Sequence, residues 1–202
     1  MSNLILDILD KTKLQRLRLS SIDCVEIDEQ FDEVLKDQRV MPHLHLSIQS
    51  GDDMILKRMK RRHNSKDVFE FVEHCKKIRE DVSFGADIIA GFPTETDEMF
   101  DNTYRLLKEN EISHLHIFPF SPKNNTPASR MPQVSKLIIK KRAKNLRELG
   151  ELILKKVKSK LSLPREVLIE ELNLGLAVGY DQNYIKHKVP LVGVPVGEIV
   201  KV

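Results

Sequence analysis

Asp87-Ile-Ile-Ala-Gly-Phe-Pro-Thr-Glu95 is the stretch whose reading decides the fold. Phe84 to Ala90 is an almost unbroken apolar run with one carboxylate inside it, the composition of a parallel strand covered on both faces. Gly91 permits a sharp turn or a close approach to a ligand, and Pro93 forbids continuation of the strand. Thr94, with Asp97 three residues on, forms a capping pair for a following helix. A strand therefore feeds a helix here, and in α/β sheets, open or closed, ligands gather at the carboxyl ends of such strands.

The flanking sequence repeats this unit. Leu4 to Leu9 has helical spacing, and Leu14 to Ile22 reads as a strand with Arg16 and Arg18 on one face. A helix from Asp28 buries Phe31, Val34 and Leu35 and ends at Pro42; His43 to Ile48 is the next strand, with Gln49-Ser50-Gly51 as its turn. Asp52 caps a short helix through Met59, and Asn64-Ser65 starts another that buries Val68, Phe71, Val72 and Cys75. Phe100, Tyr104 and Leu107 form the inner stripe of the helix after the central unit, and Ser113 to Phe118 is a fourth strand. Four strand-then-helix repeats predict an α/β fold with a parallel sheet and right-handed crossovers. The echo of His43-Leu-His-Leu in His114-Leu-His-Ile favours a partial barrel, with the histidines facing the lumen and the aliphatics facing the helices. It points to at least one of these histidines, His116 first, lining a polar cavity.

Past Phe118 the character changes. Residues 119–132 are rich in proline and polar side chains and read as a functional loop. A long helix from about Ser135 to Lys160 carries Ile139, Leu146, Leu149, Ile153 and Val157 on one stripe, and Lys140, Lys141, Arg142 and Lys144 lead its basic face. Such a face suits a phosphate backbone, although solvation alone accounts for most charge runs. Val167–Glu171, Gly175–Tyr180, Asn183–Val189 and Gly197–Val202 read as four short strands of a small barrel-like appendage. The expected organisation is a barrel part over residues 1–134, a basic connecting helix over 135–161 and a β domain over 162–202.

Composition narrows the class without naming a function. The chain has 202 residues, 41% hydrophobic and 31% charged, with a net charge of +3, so bulk charge alone marks no nucleic-acid binder. No apolar run is long enough to span a bilayer, and Met1 to Asp10 lacks the pattern of a signal peptide, giving the expectation of a cytoplasmic protein. Cys24 and Cys75 stand in no metal-ligand spacing, so no metal site is expected from them; Cys75 fits a helical core stripe.

Arg18-Leu-Ser-Ser-Ile-Asp23, His43-Leu-His-Leu-Ser-Ile-Gln-Ser-Gly51, Leu56-Lys-Arg-Met59, Gly91-Phe-Pro-Thr-Glu95 and His116-Ile-Phe-Pro-Phe-Ser121 with Thr126-Pro-Ala128 resemble, in order, the radical-SAM tRNA methylthiotransferases. The likeness is strongest to the branch acting on threonylcarbamoyladenosine beside the anticodon. Gly179-Tyr-Asp-Gln-Asn-Tyr-Ile185 resembles that family's C-terminal TRAM domain, a small β-barrel that grips tRNA. The resemblance implies S-adenosylmethionine and 4Fe-4S clusters as cofactors and tRNA as partner. It implies Gln49 and Ser50 facing the ribose or carboxylate of S-adenosylmethionine, Gly91 approaching its adenine with Glu95 fixing the turn, and Asp87 and His116 lining the cavity. Lys140, Lys141, Arg142 and Lys144 would meet RNA.

The sequence also departs from the family. The Cys-x3-Cys-x2-Cys loop that holds the cluster is not among these residues; Cys24 replaces the usual proline, and Asn125 the usual glycine. The chain thus reads as the C-terminal part of a methylthiotransferase, inactive alone and completed by a separate N-terminal half or by self-association. In such an open half-barrel, Ile48 and Ile88 are expected to be exposed to water.

Overall fold

The computed structural model describes residues 1–161, 164–173, 175–190 and 193–202. Its first sheet holds β1 (Leu17–Ile22), β2 (Val40–Gln49), β3 (Ser83–Ala90) and β4 (Ile112–Pro119), all parallel and in chain order across the sheet. Between and before them run α1 (Ser2–Lys11), α2 (Phe31–Lys36), α3 (Asp53–Arg58), α4 (Ser65–Ile78) and α5 (Asp97–Glu109). The starts of α3 and α4 follow the local chemistry: Asp52 accepts the Ile55 amide, and Asn64 and Asp67 form a reciprocal capping box.

Period-two alternation sorts the sheet into two faces. Leu44, Leu46 and Ile48 of β2 and Phe84, Ala86 and Ile88 of β3 are at most 2% exposed and share one core with Val68, Phe71, Val72 and Leu107 of the covering helices. Ile48 and Ile88 are therefore not lumen residues, and their expected exposure is corrected. They share parity with the helix-covered aliphatics, so an open barrel edge does not uncover them.

Three local expectations also change. Pro42 does not end α2 but lies inside β2, where the pairing with β1 shifts register between Leu17–Val40 and Leu19–Leu44; its missing N–H is accommodated at that irregularity. β1 starts at Leu17, which leaves Arg16 before the strand. Thr94 does not cap α5. It adopts φ 67°, and Thr96 two residues on accepts the Met99 amide at 3.2 Å.

Helix α6 (Lys136–Lys160), capped by Ser135, seats Ala143, Leu146, Leu149, Ile153 and Val157 on the same core. The remaining strands, β5 (Glu166–Asn173), β6 (Leu176–Tyr180), β7 (Lys186–Val189) and β8 (Ile199–Lys201), form an antiparallel sheet in the order β7-β6-β5-β8. Asn183 does not open a strand as expected but sits in the turn before β7, where the Asp181 carboxylate accepts the amides of Asn183 and Ile185. This turn is the joint between the two sheets. Fully buried Asn183 donates to the Pro42 carbonyl at 2.9 Å and to the Asp81 carbonyl at 2.6 Å, and Arg16 donates to the Glu166 carbonyl at 2.9 Å.

Candidate functional site

The polar face of the parallel sheet and the Asn183 turn enclose a cavity of about 390 Å³, lined by Arg18, Ser20, His43, His45, Asp87, His114, His116 and Tyr184 among others. The alternation that buries the aliphatics on one face delivers every one of these strand side chains to the other. The site has two tiers.

In the lower tier, His43 Nδ1 lies 3.0 Å from Ser83 Oγ, and its ring centroid lies 4.5 Å from that of His114 and 5.7 Å from that of Tyr184. His114 Nε2 donates to the Tyr184 carbonyl at 3.1 Å. Tyr184 is held from both sides, by Tyr180 stacked at 4.4 Å and by the Arg18 guanidinium 3.2 Å from its ring centre. Burial pushes the imidazole of His43 down to about 2 and that of His114 down to about 4, so both are neutral at neutral pH. The upper tier is a carboxylate between two imidazoles. Asp87 Oδ1 lies 3.0 Å from His45 Nε2 and 3.2 Å from His116 Nδ1. Gly85 makes the arrangement possible, because a Cβ there would stand 2.6 Å from His45 Nδ1 and 2.9 Å from the His114 carbonyl.

Of the residues expected at the site, Asp87 and His116 meet in the cavity. Gln49 ends β2 in a left-handed conformation, φ 69°, and is half-buried. Ser50 is turned away from the lumen: its buried hydroxyl lies 3.3 Å from that of Thr103 on α5 and accepts the Asp52 amide, so its expected contact with S-adenosylmethionine is corrected. Gly91, at φ 75°, is approached closely by α6, since a Cβ there would run into Ile139. Its amide donates to Glu95 Oε2 at 2.9 Å, so Glu95 does brace this turn.

Arg142, expected beside Lys140, Lys141 and Lys144 as an RNA-facing residue, is corrected by the structure. It is 5% exposed, donating to Glu95 Oε2 and to Asp97 Oδ1, each at 2.6 Å. The helical period turns position 142 with Ile139, Ala143 and Leu146 toward the sheet. Burial pushes the Glu95 carboxyl up, against the pull of Arg142 and the Gly91 amide. Lys140, Lys141 and Lys144 remain exposed. Further along the helix, Lys156 and Lys160 are each 2.7 Å from Glu111, which neutralises part of the basic run.

The residues present do not fit an iron–sulfur cluster. Its iron needs several thiolates, whereas Cys75 is fully buried, Cys24 half-buried, and burial pushes both thiols up to about 12. The lower histidine tier, Tyr184 and the Arg18 guanidinium lie outside the site that sequence reasoning assembles. The His-x-His echo signals the first, but Tyr184 comes from a turn in a different sheet, with no pattern to place it.

The family model described as the Radical SAM superfamily matches residues 5–107. The threonylcarbamoyladenosine tRNA methylthiotransferase of Rickettsia prowazekii is 51% identical over 182 residues, covering 87% of this chain and 41% of that protein. The corresponding protein of Thermotoga maritima is 40% identical over 193 residues, 91% of this chain and 43% of that one. The chain therefore spans less than half the length of these relatives. Coproporphyrinogen III oxidase from Escherichia coli, a radical SAM enzyme, shares the fold with a TM-score of 0.60 at 17% identity, over 75% of this chain and 36% of that one.

Proposed function

Because the chain belongs to the radical SAM superfamily, we propose that it is the carboxyl-terminal part of a tRNA methylthiotransferase acting on threonylcarbamoyladenosine beside the anticodon. The observation that carries this reading is the likeness to the Rickettsia enzyme, 51% identical over 182 residues that cover 87% of this chain. The cavity suits it: a polar lumen walled by imidazoles and one carboxylate, floored by the tail, is able to hold a purine and its polar substituent by hydrogen bonds and stacking. In this reading Gln49, at the carboxyl end of β2, is the residue of this chain left to meet S-adenosylmethionine. Asp87 and His116 face the substrate side, and Glu95 keeps the turn at Gly91 in place. The 162–202 unit serves as the TRAM-like RNA-binding domain, and Lys140, Lys141 and Lys144 add phosphate contacts. A cytoplasmic location goes with a tRNA substrate, and no described helix is long and apolar enough to cross a membrane.

Cys24 and Cys75 cannot supply the ligands of an iron–sulfur cluster. The chain alone, given iron, sulfide, reductant, S-adenosylmethionine and tRNA, is therefore expected to leave no methylthio group on the nucleoside by mass spectrometry. Supplied with the amino-terminal segment of the Rickettsia relative, it is expected to form the product. Product from the chain alone at an enzyme-like rate would overturn the assignment of cluster binding to a separate segment. Absence of product in both arms, with tRNA still bound, would favour the second reading, a non-catalytic tRNA-binding fragment, which the exposed basic face of α6 also supports.

A further inference from the structure

We propose that His45, Asp87 and His116 form a binding site for one first-row divalent transition ion, with its open coordination positions facing the lumen. Three adjacent strands each contribute one lumen-facing ligand. Asp87 pairs in register with His116 across β3 and β4, and His45 pairs with Gly85, two residues before Asp87 on the same face. Register thus sets the three groups side by side, and the absent side chain at Gly85 leaves room for the His45 ring.

The geometry agrees with a metal sphere on two of its three edges. Zinc-type ions hold imidazole nitrogen and carboxylate oxygen at about 2.0–2.2 Å, which puts neighbouring ligand atoms about 3.0–3.5 Å apart. The two nitrogen–oxygen separations are 3.0 and 3.2 Å, and all three ligand atoms lie within 4.8 Å of one another. The third pair, the two imidazole nitrogens, falls within the same 4.8 Å limit, and the His116 side chain is 59% exposed. Charge points the same way. Asp87 is a half-buried carboxylate whose side-chain partners among the described residues are these two imidazoles, with no lysine or arginine beside it. Arg18 also lines the cavity, but its guanidinium is engaged with the Tyr184 ring at the floor. Two imidazoles and one carboxylate with open positions are the donor set of non-haem iron and catalytic zinc sites, and the donors suit zinc, cobalt, nickel or iron(II) over magnesium or calcium. Metal binding requires each imidazole to carry its proton on the far nitrogen, a tautomer change and not a rearrangement.

This inference does not rest on the methylthiotransferase reading, because its test uses neither S-adenosylmethionine nor tRNA. The untagged 202-residue chain, stripped with chelator, is titrated with Zn2+ by calorimetry and with Co2+ by absorption. One equivalent is expected to bind, with cobalt bands of a nitrogen–oxygen site lacking thiolate charge transfer. His116→Ala and Asp87→Asn are expected to weaken Zn2+ binding by about a hundredfold or more, beyond the loss of about 10–100-fold that follows removal of an outer-shell partner. His116 is exposed enough for its variant to fold, which a circular dichroism spectrum checks. Cys24→Ser is the control for the other cluster of potential ligands, Asp23, Cys24 and His63, and should change nothing. Failure to bind a stoichiometric ion would overturn the proposal, as would binding that survives His116→Ala or disappears in Cys24→Ser. The upper tier would then be a hydrogen-bonded carboxylate only.

Discussion

Replacing Arg142 by methionine is expected to destabilise the chain by about 3–5 kcal/mol, the cost of leaving a buried charge without its partner. The Glu95 and Arg142 side chains are 3% and 6% exposed and meet at 2.6 Å; Arg142 also donates to the Glu95 carbonyl at 3.1 Å. Methionine fills much of the arginine's volume, so the loss comes from electrostatics and not from a cavity. It leaves the Glu95 carboxylate with one donor, the Gly91 amide. The Glu95→Gln/Arg142→Met double variant should recover part of the loss, because the uncompensated charge is gone. Lys140→Met, at an exposed position on the same helix, should stay within about 0.5 kcal/mol of the parent. Urea denaturation of the four proteins makes the comparison. If Arg142→Met proves as mild as Lys140→Met, the Glu95–Arg142 pair is not a buried one, and Arg142 is available to RNA after all.

Acidification from pH 7 to pH 5 is expected to remove about 2 kcal/mol for each of His43 and His114, through linkage between protonation and folding. The sign follows from their burial. Both imidazoles titrate well below the ordinary histidine range when folded, at about 2 for His43 and about 4 for His114. In the unfolded chain they take up protons near the ordinary value of about 6.5. Below that value the unfolded state holds more protons, so stability falls as pH drops; above about pH 7 these two groups contribute no slope. His43→Phe should flatten the profile by roughly half while keeping an aromatic ring against Tyr184. A stability that stays level between pH 7 and 5 would contradict the neutral lower tier.

The parallel sheet is plain in the sequence, because β2 and β4 carry period-two patterns of histidines and aliphatics, β3 is an apolar run stopped at Gly91, and the helices between them carry their own apolar stripes. Side chains near chain reversals are where sequence reasoning goes astray. Ser50 and Gly91 stand at the carboxyl ends of strands, where ligands gather in this kind of fold, yet Ser50 braces Thr103 and Gly91 yields its open side to Ile139. Position in a motif fixes where the backbone goes. It does not say whether the adjoining helix or a ligand takes up the space. Arg142 misleads for a similar reason: a run of basic residues on a helix spans more than one face, and the period that buries Leu146 also buries the residue four before it. Tyr184 shows the reach of tertiary structure most clearly, since its place under the histidines depends on Asn183 docking to Pro42 and Asp81, far away in sequence.

Affinity for tRNA carrying threonylcarbamoyladenosine, measured across a salt titration for the parent chain and for Lys140→Glu/Lys141→Glu/Lys144→Glu, tests the central claim most directly. Phosphate binding releases counterions, so log affinity should fall linearly with log salt; the charge-reversed variant should bind more weakly with a slope shallower by about 0.7–0.9 per phosphate no longer neutralised. The three side chains are exposed, so the variant should keep the fold. An affinity indifferent to salt, or unchanged by reversing the three lysines, would contradict the assignment of this chain to the tRNA-gripping part of a methylthiotransferase.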